Sequence, residues 1–313
     1  MTKKNLISIV VPLFNERESL TELVRSTDAA FRQGKVPIEY IFVDDGSTDG
    51  SFALLTSLRA KEKNSMTIVR LRKRSGKSAA LSEGFMHTRG DIVVTMDADL
   101  QDDPAEAYRL VGKMNSTTDL IVGWRKNRMD SQGKLGVSRL FNRAVSVSTG
   151  LRLHDMNCGL KVMRSGVTHE LDIYGELHRF IPVLAHARGF RVTEAAISHR
   201  PRKYGASKFG IERVFAAFDL LSTLFLAGFG TRPLIIFGPI GSVMVLLGLV
   251  ALVYLSAIHF MGQSIGTRPL LLLGVMFVIF GVQLLSTGLL GELIISSSTG
   301  RKRASVEQII KPL

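Results

Sequence analysis

The first part of the chain alternates between two hydrophobic rhythms. Continuous apolar runs rich in β-branched residues occur at 6–14 (LISIVVPLF), 38–45 (IEYIFVDD), 65–71 (SMTIVRL), 91–97 (DIVVTMD) and 119–124 (DLIVGW). Between them, segments 16–33, 47–62, 76–90 and 103–115 mix apolar and charged residues in a helix-like manner. Strands that are apolar on both faces belong in a parallel sheet covered by helices on each side. The β-α-β-α succession therefore predicts an α/β fold with a doubly wound, mainly parallel sheet. Such sheets bind ligands beyond the carboxyl ends of their strands. Three polar clusters, Asn15-Glu16, 44–50 (DDGSTDG) and 97–104 (DADLQDDP), each follow a strand directly, so they are expected to converge on one edge.

Farther on the pattern changes. From about Arg125 to Ile211 it loosens into mixed, basic segments, and 211–230 (IERVFAAFDLLSTLFLAGFG) starts amphipathic and becomes almost wholly apolar, as an interfacial helix would. Leu234–Ile258 and Leu270–Gly291 contain no Asp, Glu, Lys or Arg. At about 1.5 Å per residue, either run reaches across a bilayer core of about 30 Å. The connection between them carries only Arg268, whereas Arg213, Arg232 and 300–303 (GRKR) flank the pair. That charge bias places the N-terminal domain and the tail together on the cytoplasmic side. The expected organisation is an α/β domain at 1–210, the interfacial helix at 211–230, a two-span hairpin at 231–295 and a basic tail at 296–313. The N-terminal apolar run is broken by Pro12 and lacks a small-residue cleavage site, which argues against a signal peptide.

Charge sharpens the question of what the acids do. The chain has 313 residues and a formal net charge of +13, yet Asp97, Asp99, Asp102 and Asp103 crowd the end of one apolar strand. Two carboxylates one residue apart after a strand suit a hard divalent cation, Mg2+ or Mn2+, shared with substrate phosphates. Asp103, before Pro104, reads as a helix cap; Asp102 receives no role. At 43–50 (VDDGSTDG), Gly46 permits a turn and Ser47 or Thr48 can cap the next helix, while Asp44 and Asp45 can accept hydrogen bonds from a nucleotide. Segment 72–81 (RKRSGKSAAL) is no phosphate loop, because Leu71 stands where the first glycine is needed; Lys77 and the amides beside it still favour an anion. Basic runs at 123–145 and 199–210 suit a solvated face against anionic lipid, or a grip on a phosphate presented at the bilayer surface, better than a nucleic acid. The lone Cys158 reads as a small core residue, the seven histidines show no metal-ligand spacing, and 176–182 (ELHRFIP) is suggestive of a site but reads by default as a helix face.

Taken in order, VPLFNE (11–16), VDDGSTDG, GKSAALSEGF (76–85), DADLQDDP, NCGLKVMRSG (157–166) and RKYGASKFG (202–210) resemble the family-2 glycosyltransferases. The likeness is to the polyprenyl-phosphate branch: dolichyl-phosphate mannose synthases, bactoprenol glucosyltransferases and undecaprenyl-phosphate aminoarabinose transferases. It covers nearly the whole chain, including GLLGE (288–292) at the end of the second span. The resemblance implies a GT-A domain in which Pro12, Phe14, Glu16, Asp44, Asp45, Lys77 and Asp97 contact the nucleotide-sugar. It implies that Asp97, Asp99 and Gln101 hold Mg2+ or Mn2+, with catalysis depending on Asp97 and Asp99, and that Arg125, Arg139, Arg143, Arg202 and Lys208 bind the acceptor phosphate. The implied partners are a UDP- or GDP-linked sugar, a polyprenyl phosphate and membrane lipid, with no nucleic acid. A homotetramer in a bacterial inner membrane, with a cytoplasmic catalytic domain, and inversion at the anomeric carbon are also implied. No general base is named: some relatives carry an acid where this chain has Gly159, and Asp155 is out of register. Two alternatives are a processive polysaccharide synthase, whose Q-x-x-R-W signature Trp124 lacks, and a non-catalytic membrane-anchored nucleotide-sugar-binding protein.

Overall fold

The computed structural model describes residues 6–60, 64–126, 146, 150–198, 233–266, 269–297 and 305–312. The chain divides into two compact units, one comprising Met1–Thr223 with Lys302–Leu313 and the other Leu224–Arg301. The expected interfacial helix at 211–230 lies outside the described residues.

In the first unit all five expected strands form: β1 (Ile7–Leu13), β2 (Ile38–Asp44), β3 (Ser65–Leu71), β4 (Ile92–Thr95) and β5 (Leu120–Arg125). Every residue of β1 and β2 is buried, as a strand covered on both faces requires. Between them run α1 (Arg17–Gln33), α2 (Ser51–Arg59), α3 (Lys77–Phe85) and α4 (Pro104–Val111). Helix α1 buries Leu20, Leu23, Val24 and Phe31, one stripe at helical spacing, and the Phe31 ring meets Tyr108 of α4 edge-on at 5.5 Å. Burying one such side chain stabilises the fold by about 1.5–3 kcal/mol. The deeply buried Glu39 is fully partnered: it accepts from Ser8 Oγ (2.6 Å), Arg89 N (2.7 Å) and Arg89 Nε (2.7 Å).

Three further strands complete the sheet: β6 (Lys161–Arg164), β7 (Val192–Ile197) and β8 (Val306–Ile310). The order is β7-β5-β6-β4-β1-β2-β3-β8. Strands β4, β1, β2 and β3 run parallel, as do β5 and β7. The four-residue β6 enters between β4 and β5, antiparallel to both. The mixed basic region hid this strand, since four residues of which the last is an exposed arginine make no periodic signal. At the far edge β8 pairs antiparallel with β3, so part of the segment read from sequence as a basic tail is an edge strand. The chain therefore leaves this sheet, passes through the second unit and returns to the same sheet. Helix α5 (Ser165–Glu170), a 3-10 turn (Leu177–Phe180) and α6 (Ile181–Ala187) lie between β6 and β7.

The second unit is a hairpin of α7 (Leu234–Phe260) and α8 (Pro269–Ser297). Gly241 and Gly248 on α7, and Gly274, Gly281 and Gly288 on α8, recur at seven-residue intervals. A Cβ at Gly241 would lie 2.7 Å from the Gly281 carbonyl oxygen, and one at Gly248 would lie 2.7 Å from that of Gly274. Small residues at a seven-residue period let two apolar helices bring their backbones together where no hydrophobic force distinguishes partner from lipid. Phe237–Phe260 and Pro269–Ile294 are long and apolar enough to cross a membrane, and only 11% of each apolar window is buried. A soluble core helix would cover that surface, but here Leu246, Val253, Leu272 and Ile279 face outward.

Candidate active site

The carboxyl ends of β1, β2 and β4 surround a cleft of about 240 Å³. The chain runs from β1 through β2 to β3 on one side, and β4 lies on the other side of β1. This reversal opens a crevice, the usual ligand position in an open α/β sheet. Pro12, Phe14 and Glu16 line it from the β1 turn, Asp45 from the β2 turn, Lys77 from the start of α3, and Asp97 and Asp99 from the β4 turn. Sequence order alone separates these groups by tens of residues; the parallel register joins them.

The β2 turn is held by its own acids. Asp44 Oδ1 accepts from Ser47 N (2.9 Å), and the side chain is fully buried. It shapes the turn and does not line the cleft. Asp44 Oδ2 has no hydrogen-bond partner among the described residues. Asp45 accepts from Ser75 N (2.6 Å) and Gly76 N (2.9 Å). The amides before α3, which the sequence suggested would favour an anion, thus hold a carboxylate of this chain. Burial raises the Asp45 pKa from its ordinary value, against the pull of those amides and of Arg74. Helix α2 starts only at Ser51, later than expected, because the Ser47 and Thr48 groups are engaged elsewhere. Ser47 Oγ accepts from Asn15 N (2.8 Å) and Thr48 N donates to Asn15 Oδ1 (2.8 Å). Asn15 takes a left-handed φ of 53° to reach both. Across the mouth, the Arg74 guanidinium stands 4.7 Å from the Phe14 ring centre.

The β4 turn is held by cations. Lys77 Nζ donates to Asp97 Oδ1 at 2.5 Å. Burial alone would raise the Asp97 pKa, but Lys77, with a smaller contribution from Lys161, lowers it overall and keeps the carboxylate charged. Lys161, at the start of β6, is buried and its Nζ donates to the Cys158 carbonyl. Burial first, then the repulsion of Lys77, lowers its pKa to about 8. Asp99 Oδ1 accepts from Gln101 N (3.2 Å), across a turn in which Leu100 is left-handed (φ 61°). The Gln101 side chain does not line the cleft. Asp103 caps α4 as expected, accepting from Ala105 N (3.0 Å). Gly159 lies against Asp97 and Asp102: a Cβ there would be 2.6 Å from Asp97 Oδ2 and 3.0 Å from Asp102 Oδ2. Among the described residues no three His, Cys, Asp or Glu side chains enclose a metal position. Two carboxylates completed by ligand phosphates remain an arrangement that Mg2+ accepts.

Arg125 lies outside the cleft, in a bidentate ion pair with Asp155 (2.6 and 3.0 Å), both side chains largely buried. Burial opposes the charge of Arg125, but Asp155 outweighs it and raises the pKa. Arg139, Arg143, Arg202 and Lys208 lie outside the described residues. Cys158 is buried, and burial pushes its thiol up to about 12, so it packs as an inert core residue.

Sequence reasoning assigned no role to four ionisable cleft residues: Arg74, Glu176, His178 and Arg179. The last three come from ELHRFIP, whose unusual mix of acid, imidazole and guanidinium was the available signal. The segment reaches the cleft because His178 packs on α3: its N–H donates to Ser78 Oγ (2.9 Å), and its Nδ1 lies 2.9 Å from the same oxygen.

The family described as Glycosyl transferase family 2 matches residues 8–172. A dodecaprenyl-phosphate galacturonate synthase of Rhizobium johnstonii is 37% identical over 313 aligned positions, covering 98% of this chain and 92% of the relative. An undecaprenyl-phosphate 4-deoxy-4-formamido-L-arabinose transferase of Pseudomonas paraeruginosa is 35% identical, covering 98% and 91%. Among solved structures, the glucosyl-3-phosphoglycerate synthase of Mycobacterium tuberculosis in complex with Mn2+, UDP and phosphoglyceric acid superposes with a TM-score of 0.56 at 19% identity. That superposition covers 72% of this chain and 79% of the other, and establishes the shared fold.

Proposed function

The chain belongs to glycosyl transferase family 2, and we propose that it transfers a sugar from a UDP- or GDP-linked donor to a polyprenyl phosphate in a membrane. The observation that carries the reading is the similarity to lipid-phosphate sugar transferases over 98% of the chain, membrane-length helices included. The nucleotide would occupy the end of the cleft lined by Pro12, Phe14, Glu16 and Asp45, with its diphosphate toward Lys77, Asp97 and Asp99.

The charged Asp97 and the neighbouring Asp99 fit a divalent cation, because both offer hard oxygens beside a space open to phosphate. Mg2+ or Mn2+ held there would supply a Lewis acid to the diphosphate, and Gln101 would add a donor only after its side chain turns into the cleft. Lys77 then has two tasks: it balances Asp97 and offers its ammonium to a bound diphosphate. The acceptor phosphate is anionic near neutral pH and attacks the anomeric carbon with inversion, so no strong general base is required. Gly159 fits this economy, since a side chain there would collide with Asp97. Arg125, Arg139, Arg143, Arg202 and Lys208 are proposed for the acceptor phosphate, Arg125 only after exchanging Asp155 as its partner. The proposed setting is a bacterial inner membrane with the catalytic unit cytoplasmic and four copies assembled. Support for a single side comes from β8, which returns the chain after the hairpin to the starting sheet.

The test supplies undecaprenyl phosphate, Mn2+ and a panel of labelled UDP- and GDP-sugars to the full chain in detergent, and follows label into the lipid phase. Transfer from at least one donor is expected. Label that stays in water with every donor would overturn the reading.

A further inference from the structure

Ser78, buried, and His178, half-buried at the cleft wall, form a couple that the proposed transfer leaves unused. Ser78 is fully buried, and its oxygen already accepts the His178 backbone N–H. Its hydroxyl hydrogen needs an acceptor, because a buried O–H left unpaired is costly. Among the described residues only His178 Nδ1, at 2.9 Å, receives it. Nδ1 therefore carries the lone pair and the imidazole's own hydrogen sits on Nε2. The ring lines the cleft beside Lys77 and Asp97, and Nε2 has no partner among the described residues.

Resting on the proposed function, the geometry points to His178, locked by Ser78 as the Nε2–H tautomer, as a hydrogen-bond donor to the departing phosphate of the nucleotide-sugar. In the step, an acceptor phosphate oxygen forms a bond to the anomeric carbon while the bond from that carbon to the donor phosphate oxygen breaks. The electron pair stays on the departing oxygen, and Nε2–H stabilises the charge that grows there; no proton is transferred. Burial, reinforced by Lys77, Arg179 and Lys161, holds the His178 pKa near 3, so the ring is uncharged at neutral pH. An uncharged donor adds little to ground-state attraction of a diphosphate, and its hydrogen bond strengthens as charge develops. Ser78 is a positioning residue, acting only through the imidazole.

Two measurements on the full chain in detergent test this. Histidine selectively labelled with 15N reports the tautomer by NMR without any turnover. Nε2–H at His178 is expected, and an Nδ1–H or imidazolium signal overturns the proposal. In the transfer assay, His178→Ala is expected to lower kcat about 10²-fold, the effect of losing one donor at a developing oxyanion, and to change the donor KM by less than about threefold. His178→Gln, whose amide nitrogen falls near Nε2, should recover about tenfold of that loss, and Ser78→Ala should fall between wild type and His178→Ala. A rise in KM at unchanged kcat, or no recovery in a folded Gln variant, overturns the proposal. Wild-type chain that transfers nothing overturns the proposed function itself. Wild-type turnover matched by His178→Ala overturns only the role of His178.

Discussion

Two turns of this molecule look alike in sequence and behave oppositely. After β2 come Asp44 and Asp45; after β4 come Asp97 and Asp99. Both pairs follow a buried parallel strand at the same sheet edge, and Asp45, Asp97 and Asp99 line the cleft while Asp44 lies beneath it. Yet Asp45 is held by two backbone amides and its pKa is raised, whereas Asp97 is held by an ammonium and its pKa is lowered. Amides before a helix carry partial charge and leave the desolvation of a buried carboxylate in control, while a full positive charge at 2.5 Å overrides it. An acidic pair after a strand is thus no single device. The first turn uses its acids to build a wall, the second to keep negative charge available to a ligand.

The largest expected break in this comparison is Asp99→Ala, which should reduce transfer by about 10³-fold or more while circular dichroism and elution of the detergent complex stay unchanged. Wild-type turnover in that variant would remove the functional distinction between the turns. Next comes Gly159→Ala. The added methyl pushes on the Asp97 carboxylate, and kcat should fall about tenfold, as a misplaced catalytic group implies, with no comparable loss from Gly166→Ala, where nothing lies within 4 Å. Asp45→Asn leaves one of two part-buried amide donors without an acceptor, so it should destabilise the fold by about 1 kcal/mol, read as a lower midpoint in thermal unfolding. The smallest effect is its pH dependence. Because the folded Asp45 pKa lies above 3.8, the folded state binds more protons than the unfolded one in that window. The stability of wild type relative to Asp45→Asn is therefore greatest below 3.8 and declines as pH rises through the folded value. A difference that grows with pH would mean the amides outweigh burial, and the two turns would be alike after all.

Much of this was legible because it is periodic or local. Five strands apolar on both faces announced a parallel sheet, and the acids that follow them announced its functional edge. Asp103 before Pro104 was readable as a cap from two adjacent residues. The illegible parts depend on partners distant in sequence. Strand β6 is too short for a pattern, and β8 exists only because β3 offers an open edge. Asp44 and Asp45 are indistinguishable as letters; the backbone turns one under the loop and the other toward Ser75 and Gly76. ELHRFIP looked like a helix face because the contact that draws His178 into the cleft is with Ser78, one hundred positions earlier.

By itself the sequence determined the α/β sheet, its binding edge, the pair of membrane-length helices and the residue types gathered for phosphate and metal chemistry. These follow from hydrophobic period and from charges placed next to strands, quantities that need only neighbouring residues. Tertiary structure alone decided which acid meets an amide and which an ammonium, that Arg125 is held by Asp155, that Gly159 must stay small and which nitrogen of His178 carries its hydrogen. The reason is range: burial and the charge of an adjacent group act through space over a few ångströms, and in a parallel sheet those few ångströms join residues far apart along the chain.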